Sequence, residues 1–139
     1  EIDVAPVFEL RTEYPEGGVT FNELLPSSPL QVKEVIVTVN TNIGKAYEVV
    51  QDVNGLMTNE EGELIDKDFF TQINELLPGE RGEVLMSEFK PVEDGQTTIF
   101  MSDKDGSPTR FKVGYRLKHY RQMPPGHYKT AVVYSLNEI

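Results

Sequence analysis

Apolar and polar residues alternate along most of this chain with a period of two, the pattern of strands that bury one face. In Glu1 to Arg11 the even positions are Ile2, Val4, Pro6, Phe8 and Leu10, with Glu1, Asp3, Glu9 and Arg11 between them. Pro6 offers no ladder donor, so this run is expected at a sheet edge, or as a strand that breaks and changes sheets there. Tyr14-Pro15-Glu16-Gly17-Gly18 reads as a turn, followed by a short strand at Val19 to Phe21 and a Pro/Ser-rich loop at Leu25 to Pro29. Val32 to Asn40 is the most β-favouring stretch, with Val35, Val37 and Val39 on one face and Glu34, Ile36 and Thr38 on the other. Asn42-Ile43-Gly44 then turns into Lys45 to Val53, where Tyr47, Val49 and Val53 alternate with Glu48 and Asp52. These two runs are expected to form a β-hairpin.

Asn54 to Asp68 is acidic, contains Gly55 and Gly62, and is expected to be a long solvated connection. Between Asp68 and Leu77, Phe69, Phe70, Ile73, Leu76 and Leu77 match helical spacing, while Phe70 to Ile73 also suits a short strand. The strand reading is preferred because everything around it is strand and turn. Further strands are expected at Val84 to Phe89, Thr97 to Met101 and Thr109 to Tyr120. In the last of these, Phe111, Val113, Tyr115, Leu117 and His119 share one face, and Arg110, Lys112, Arg116 and Lys118 share the other. Met123 to Gly126 turns into a final strand, His127 to Leu136, and these last two strands are expected to form a basic hairpin. Seven to eight strands with closely spaced turns and little helix predict a single all-β domain over residues 1–139, an antiparallel two-sheet sandwich. An up-and-down barrel competes, and the uneven loop lengths favour the sandwich.

Composition narrows the chemistry. The chain has 139 residues, 38% hydrophobic and 26% charged, as one soluble globular domain requires. It contains no Cys and no Trp, which removes disulfides, thiolate metal sites and thiol nucleophiles. No apolar run approaches the ~20 residues that span a bilayer. The first residue is Glu1 rather than Met, as in a mature protein whose export signal has been removed or in a chain trimmed at its start. The net charge is −10, but residues 1–105 carry −15 and residues 106–139 carry +5. That balance argues against nucleic acid as a partner.

Ile2, Val4, Phe8 and Leu10 form the sharpest candidate site, a strand able to exchange into or pair with the edge of a neighbouring domain. The simpler alternative is the first strand of the same domain. Arg110, Lys112, Arg116 and Lys118 form a candidate electrostatic docking face for an acidic partner; the alternative is a solvent face whose bases pair with acids such as Glu34 or Glu48. Asp103-Lys104-Asp105-Gly106 places alternate carboxylates before a glycine, but Lys112 stands where a calcium loop needs its last acid. No metal and no cofactor is expected. His119 is expected in the core and His127 beside a turn, and no nucleophile elbow, metalloprotease helix or phosphate loop is present, so no catalysis is expected. Tyr14 and Tyr120 are the aromatics expected outside the core, and a glycan platform would have to use them.

Gly18-Val19-Thr20-Phe21 with Leu25-Pro26, Val35 to Asn42, and Gly44-Lys45-Ala46-Tyr47-Glu48-Val49 resemble the first half of pilin-related bacterial surface domains of immunoglobulin-like fold. Val113-Gly114-Tyr115-Arg116-Leu117 and the ending Pro125-Gly126-His127-Tyr128 to Leu136 resemble the last turn and strand of spore coat protein U and the archaic chaperone-usher pilins. The resemblance implies an exported immunoglobulin-like sandwich at the cell surface, in the periplasm or outside the cell. It further implies a non-catalytic structural or adhesive pilin-like subunit whose partners are proteins: other copies of itself or an export chaperone. Two departures stand beside it. Those relatives usually carry cysteines, and pilins lack a strand that a neighbour supplies, whereas here the N-terminal strand is able to complete its own domain. A stand-alone binding module for a glycan or a protein partner is the alternative.

Overall fold

Side chains of one parity are buried strand after strand, and they face each other across two antiparallel sheets. The computed structural model describes residues 5–13, 20, 21 and 30–139. Its strands are β1 (Phe8–Glu13), β2 (Thr20–Phe21), β3 (Leu30–Thr41), β4 (Tyr47–Thr58), β5 (Phe70–Leu76), β6 (Glu83–Val84), β7 (Lys90–Pro91), β8 (Gly95–Met101), β9 (Thr109–Lys118) and β10 (Tyr128–Glu138). One sheet runs β1-β3-β9-β5-β7 and the other β2-β10-β4-β8-β6, so the domain is an all-β sandwich and not a barrel. Val35, Val37 and Val39 of β3 and Phe111, Val113, Tyr115 and Leu117 of β9 are fully buried, facing Val49, Val53 and Met57 of β4 and Tyr128 and Tyr134 of β10. Aromatic rings join the layers: Phe100 lies flat on Phe111 with centroids 5.0 Å apart, and Phe8 meets Tyr47 edge-on at 6.0 Å.

Odd-numbered strands form one sheet and even-numbered strands the other, so no two consecutive strands pair among the described residues. Three expectations change as a result. The hairpin expected from Val32–Asn40 and Lys45–Val53 does not form, because β3 pairs with β1 and β9 while β4 pairs with β10 and β8. The strands ending the chain likewise part, β9 into the first sheet and β10 into the second. The single strand expected at Val84 to Phe89 is broken, its start pairing with β8 and its continuation, Lys90–Pro91, pairing with β5.

The acidic stretch after Asn54 is not a solvated loop throughout. β4 runs on to Thr58, Met57 and Ile65 are buried, and Thr58 bridges back to Leu64. Asn59 holds the turn between them: its Oδ1 accepts from the Glu61 and Glu63 N–H groups, and its Nδ2 donates to the Pro125 carbonyl at 2.9 Å. The ambiguous stretch near Asp68 is a 3-10 turn (Lys67–Phe69) leading into strand β5, as the strand reading expects. β9 stops at Lys118, so His119 lies half-buried beyond the strand instead of on its inward face.

Candidate functional site

A row of amides crosses the core where apolar side chains would be expected. Gln51 of β4 has the parity of Val49 and Val53, and Gln72 and Asn74 of β5 have that of Phe70 and Leu76; all three amides are buried. Gln51 and Gln72 exchange two hydrogen bonds across the sandwich, at 2.7 and 3.1 Å. Tyr115 donates to Gln51 Oε1 at 2.5 Å and shares a 2.5 Å hydrogen bond with Tyr134. At the other end Gln72 donates to Asn74 Oδ1 at 3.3 Å, and Asn74 Nδ2 donates to the Leu85 carbonyl at 2.6 Å. Among the described residues no buried side-chain nitrogen or oxygen lacks a partner. Such a row, once closed, fixes one alignment of the two sheets.

The row ends at a groove of about 720 Å³ lined by Leu85, Met86, Lys90 to Asp94, Thr97 and Thr98. Its walls are the cross-strand neighbours of the amides, since Thr97 pairs with Gln51 and Lys90 with Gln72. The chain crosses between the sheets here. Leu85 N–H donates to the Ile99 carbonyl on one sheet, and the Met86 carbonyl accepts from Asn74 N–H on the other, both at 2.9 Å. Met86 adopts φ of 58°, the one positive value at a described residue other than glycine. A bulky side chain there is uncommon and costs on the order of 1–3 kcal/mol, so the surrounding bonds hold it. Glu93 accepts a 3.5 Å hydrogen bond from Thr97 Oγ1 at the groove's acidic end. The signal for the amides was present as polar residues at apolar parity; nothing local marked Met86.

Ile2 and Val4 lie outside the described residues. Phe8 and Leu10 sit in β1, in register with Thr41 and Val39 of β3, and pack against the core. The four bases share the outer face of β9, but it is a central strand and its neighbours occupy two of them. Lys112 lies 3.8 Å from Glu34 and 3.4 Å from Glu75. Arg116 stacks 3.7 Å above the Phe89 ring and donates to Thr71 Oγ1. Arg110 and Lys118 are exposed. Tyr14 is outside the described residues, and Tyr120 is no open platform: it stacks on Phe69 at 4.4 Å and its hydroxyl accepts from Asp66 N–H.

A second, smaller cleft of about 350 Å³ gathers Asn59, Glu60, His127 and Lys129. Glu60 is held below the usual carboxylate range by its own backbone N–H and that of His127. Asp103 is held low by the backbone N–H and hydroxyl of Ser107, which close the loop from Asp103 to Gly106 on itself. No group of three metal-ligating side chains gathers among the described residues. Because these folded-state values lie below the ordinary 4.5 and 3.8, both carboxylates stabilise the fold at neutral pH. That contribution declines as pH falls below about 4.5. Burial first, then nearby Tyr120, pushes Tyr128 up to about 12, and burial with Asp103 and Glu80 pushes Tyr47 higher still. Their stabilisation is full below pH 10 and declines above it, the Tyr128 part being lost as pH rises through about 12 and the Tyr47 part at higher pH still. Urea midpoints against pH should therefore fall at both ends, with the acid limb flattened in Glu60→Gln and Asp103→Asn. An unchanged acid limb in both variants contradicts this.

No family model and no curated protein matches the chain. Among solved structures it is similar to a family 123 glycoside hydrolase from Clostridium perfringens, described for glycolipid glycan hydrolysis. The TM-score is 0.44 and the identity 16%, over 78% of this chain and 18% of that one. The chain thus spans less than a fifth of that enzyme, and a likeness this low says nothing about activity. No helix among the described residues is long and apolar enough to cross a membrane.

Proposed function

We propose that the chain is a non-catalytic binding module that works outside the cytoplasm and takes a protein partner in the groove between β7 and β8. The observation that carries this reading is Met86, a non-glycine residue held at positive φ on the wall of a 720 Å³ groove. The lining suits a polypeptide: Leu85, Met86, Pro91 and Val92 offer apolar contact, while Lys90, Glu93, Thr97 and Thr98 offer charge and hydrogen bonds. Stacked sugars would need aromatic walls, and the described groove residues are aliphatic or polar. The two carboxylates held low, Glu60 and Asp103, are engaged by backbone and serine donors, which makes them weaker proton acceptors.

Export and a place at the cell surface come with the resemblance to pilin-related domains and belong to the same proposal. The six-residue pairing of β1 with β3 of its own chain favours the stand-alone module over a subunit that donates this strand. Of the sandwich types, alternation of successive strands between sheets supports jelly-roll crossovers over an immunoglobulin-like arrangement, in which some neighbours pair as hairpins.

A displayed library of linear peptides tests the groove. Peptides selected on the unmodified chain should lose at least about tenfold in affinity for Thr98→Arg and Glu93→Arg, and keep it for Val133→Arg on the exposed face of β10. Equal binding to all three variants would place the peptides elsewhere and defeat the proposal, as would a selection that enriches nothing.

A further inference from the structure

Among the described residues β1 is the edge strand of its sheet, and its pattern is self-complementary. Among the described residues β3 pairs with one side of it and no strand with the other. Val7 directs its backbone toward β3, its carbonyl accepting from Asn42 N–H and its N–H donating to Asn42 Oδ1. By the alternation of a strand, Glu9, Arg11 and Glu13 do the same, which leaves the N–H and C=O groups of Phe8, Leu10 and Thr12 facing outward along the edge. Side chains alternate at right angles to this: Glu9, Arg11 and Glu13 are exposed on the outer face, while Phe8, Leu10 and Thr12 turn toward the core.

We propose that this edge pairs two-fold with the same edge of a second copy, antiparallel and centred on Leu10, joining the two five-stranded sheets into one. In this register Leu10 lies opposite the second copy's Leu10 and Phe8 opposite its Thr12, which matches the outward N–H and C=O groups in six hydrogen bonds. On the outer face each Glu9 stands opposite an Arg11, twice by symmetry. Shifting the centre to Arg11 would put Arg11 on Arg11 and Glu9 on Glu13, so charge selects against that register. Pro6, with no N–H, falls just past the last pair and ends the interface. Glu9 and Arg11 now pair within one chain at 3.6 Å, both well exposed, and an ion pair of that kind is readily exchanged for the neighbour's. The interface is of the small, transient class. Each copy carries −10, so the dimer is to be measured at about 0.15 M salt, where long-range repulsion is screened.

The absence of cysteine makes the register testable in the full chain. Opposite residues lie within disulfide reach, whereas Glu9 and its own counterpart are offset to roughly 8 Å. Glu9→Cys mixed with Arg11→Cys should therefore yield a disulfide-linked dimer under mild oxidation, and neither variant alone should. By sedimentation, Glu9→Arg and Arg11→Glu should each weaken the dimer about tenfold, and the double variant E9R/R11E should restore it. A monomeric chain at all concentrations overturns the proposal. So does crosslinking by Glu9→Cys alone, or a double variant no better than the singles. Crosslinking of Arg11→Cys with Glu13→Cys in place of Glu9→Cys moves the centre to Thr12 and overturns the register. None of these outcomes touches the peptide groove at the far side of the sandwich.

Discussion

Replacing Gln51 by leucine should lower stability by about 2–5 kcal/mol, even though leucine is the better core residue by hydrophobicity. Gln51 accepts from Tyr115 and Gln72 and donates back to Gln72, all in buried surroundings. Leucine removes these bonds together and leaves the Gln72 carbonyl oxygen without its donor, a loss of roughly 1–3 kcal/mol for each stranded group. The companion variant makes the argument decisive. With Gln72→Leu added, both sides of the pair become apolar and the double variant should cost clearly less than the two single losses combined. Urea denaturation of the four proteins measures this, and additive losses, or a Gln51→Leu cost below about 1 kcal/mol, would show that the amides do not act as a unit.

Gly106→Ala should cost about 2–5 kcal/mol, from left-handed strain plus overpacking. Gly106 has φ of 65°, and a methyl group there would overlap the Lys45 carbonyl oxygen and lie 2.5 Å from its carbon. Backbone cannot step aside as a side-chain end can. The contact also joins two crossovers, since Tyr47 donates to the Ser107 carbonyl at 2.6 Å and its N–H donates to Ser102 Oγ at 2.8 Å. Gly44→Ala provides the contrast: φ is 69°, but nothing lies within 4 Å of the added methyl. It should lose only the left-handed term, about 1–2 kcal/mol. Thermal or urea unfolding of the pair separates conformation from collision, and equal losses would contradict the assignment.

Much of the sandwich is legible in the alternation of residues. Val35, Val37 and Val39, and Phe111 to Leu117 on every second position, point to the core as their parity predicts. Parity says which face a residue occupies and nothing about which strand lies beside it. The link from Asn42 to Ala46 shows why the expected hairpin was not distinguishable from a crossover. Five residues reach up to about 17 Å, enough to cross the roughly 10 Å between packed sheets. The break at Met86 was equally hidden, because its positive φ is imposed by Leu85 bonding one sheet and Met86 the other.

The same division runs through the candidate sites. The row Arg110, Lys112, Arg116 and Lys118 was visible in the sequence, but its character depends on Glu34, Glu75 and Phe89, which only strand order brings alongside. Gln51 and Gln72 could each be recognised as polar residues at buried parity. That they complete one another required the two sheets to face each other. Local alternation is written residue by residue in steric and solvation preferences, so the all-β class and most buried faces followed from the chain alone. Partners such as Gln51 with Gln72, the groove beside β8 and the neighbours of Lys112 and Arg116 on β9 arise from contacts distant in sequence, which exist once the core has closed.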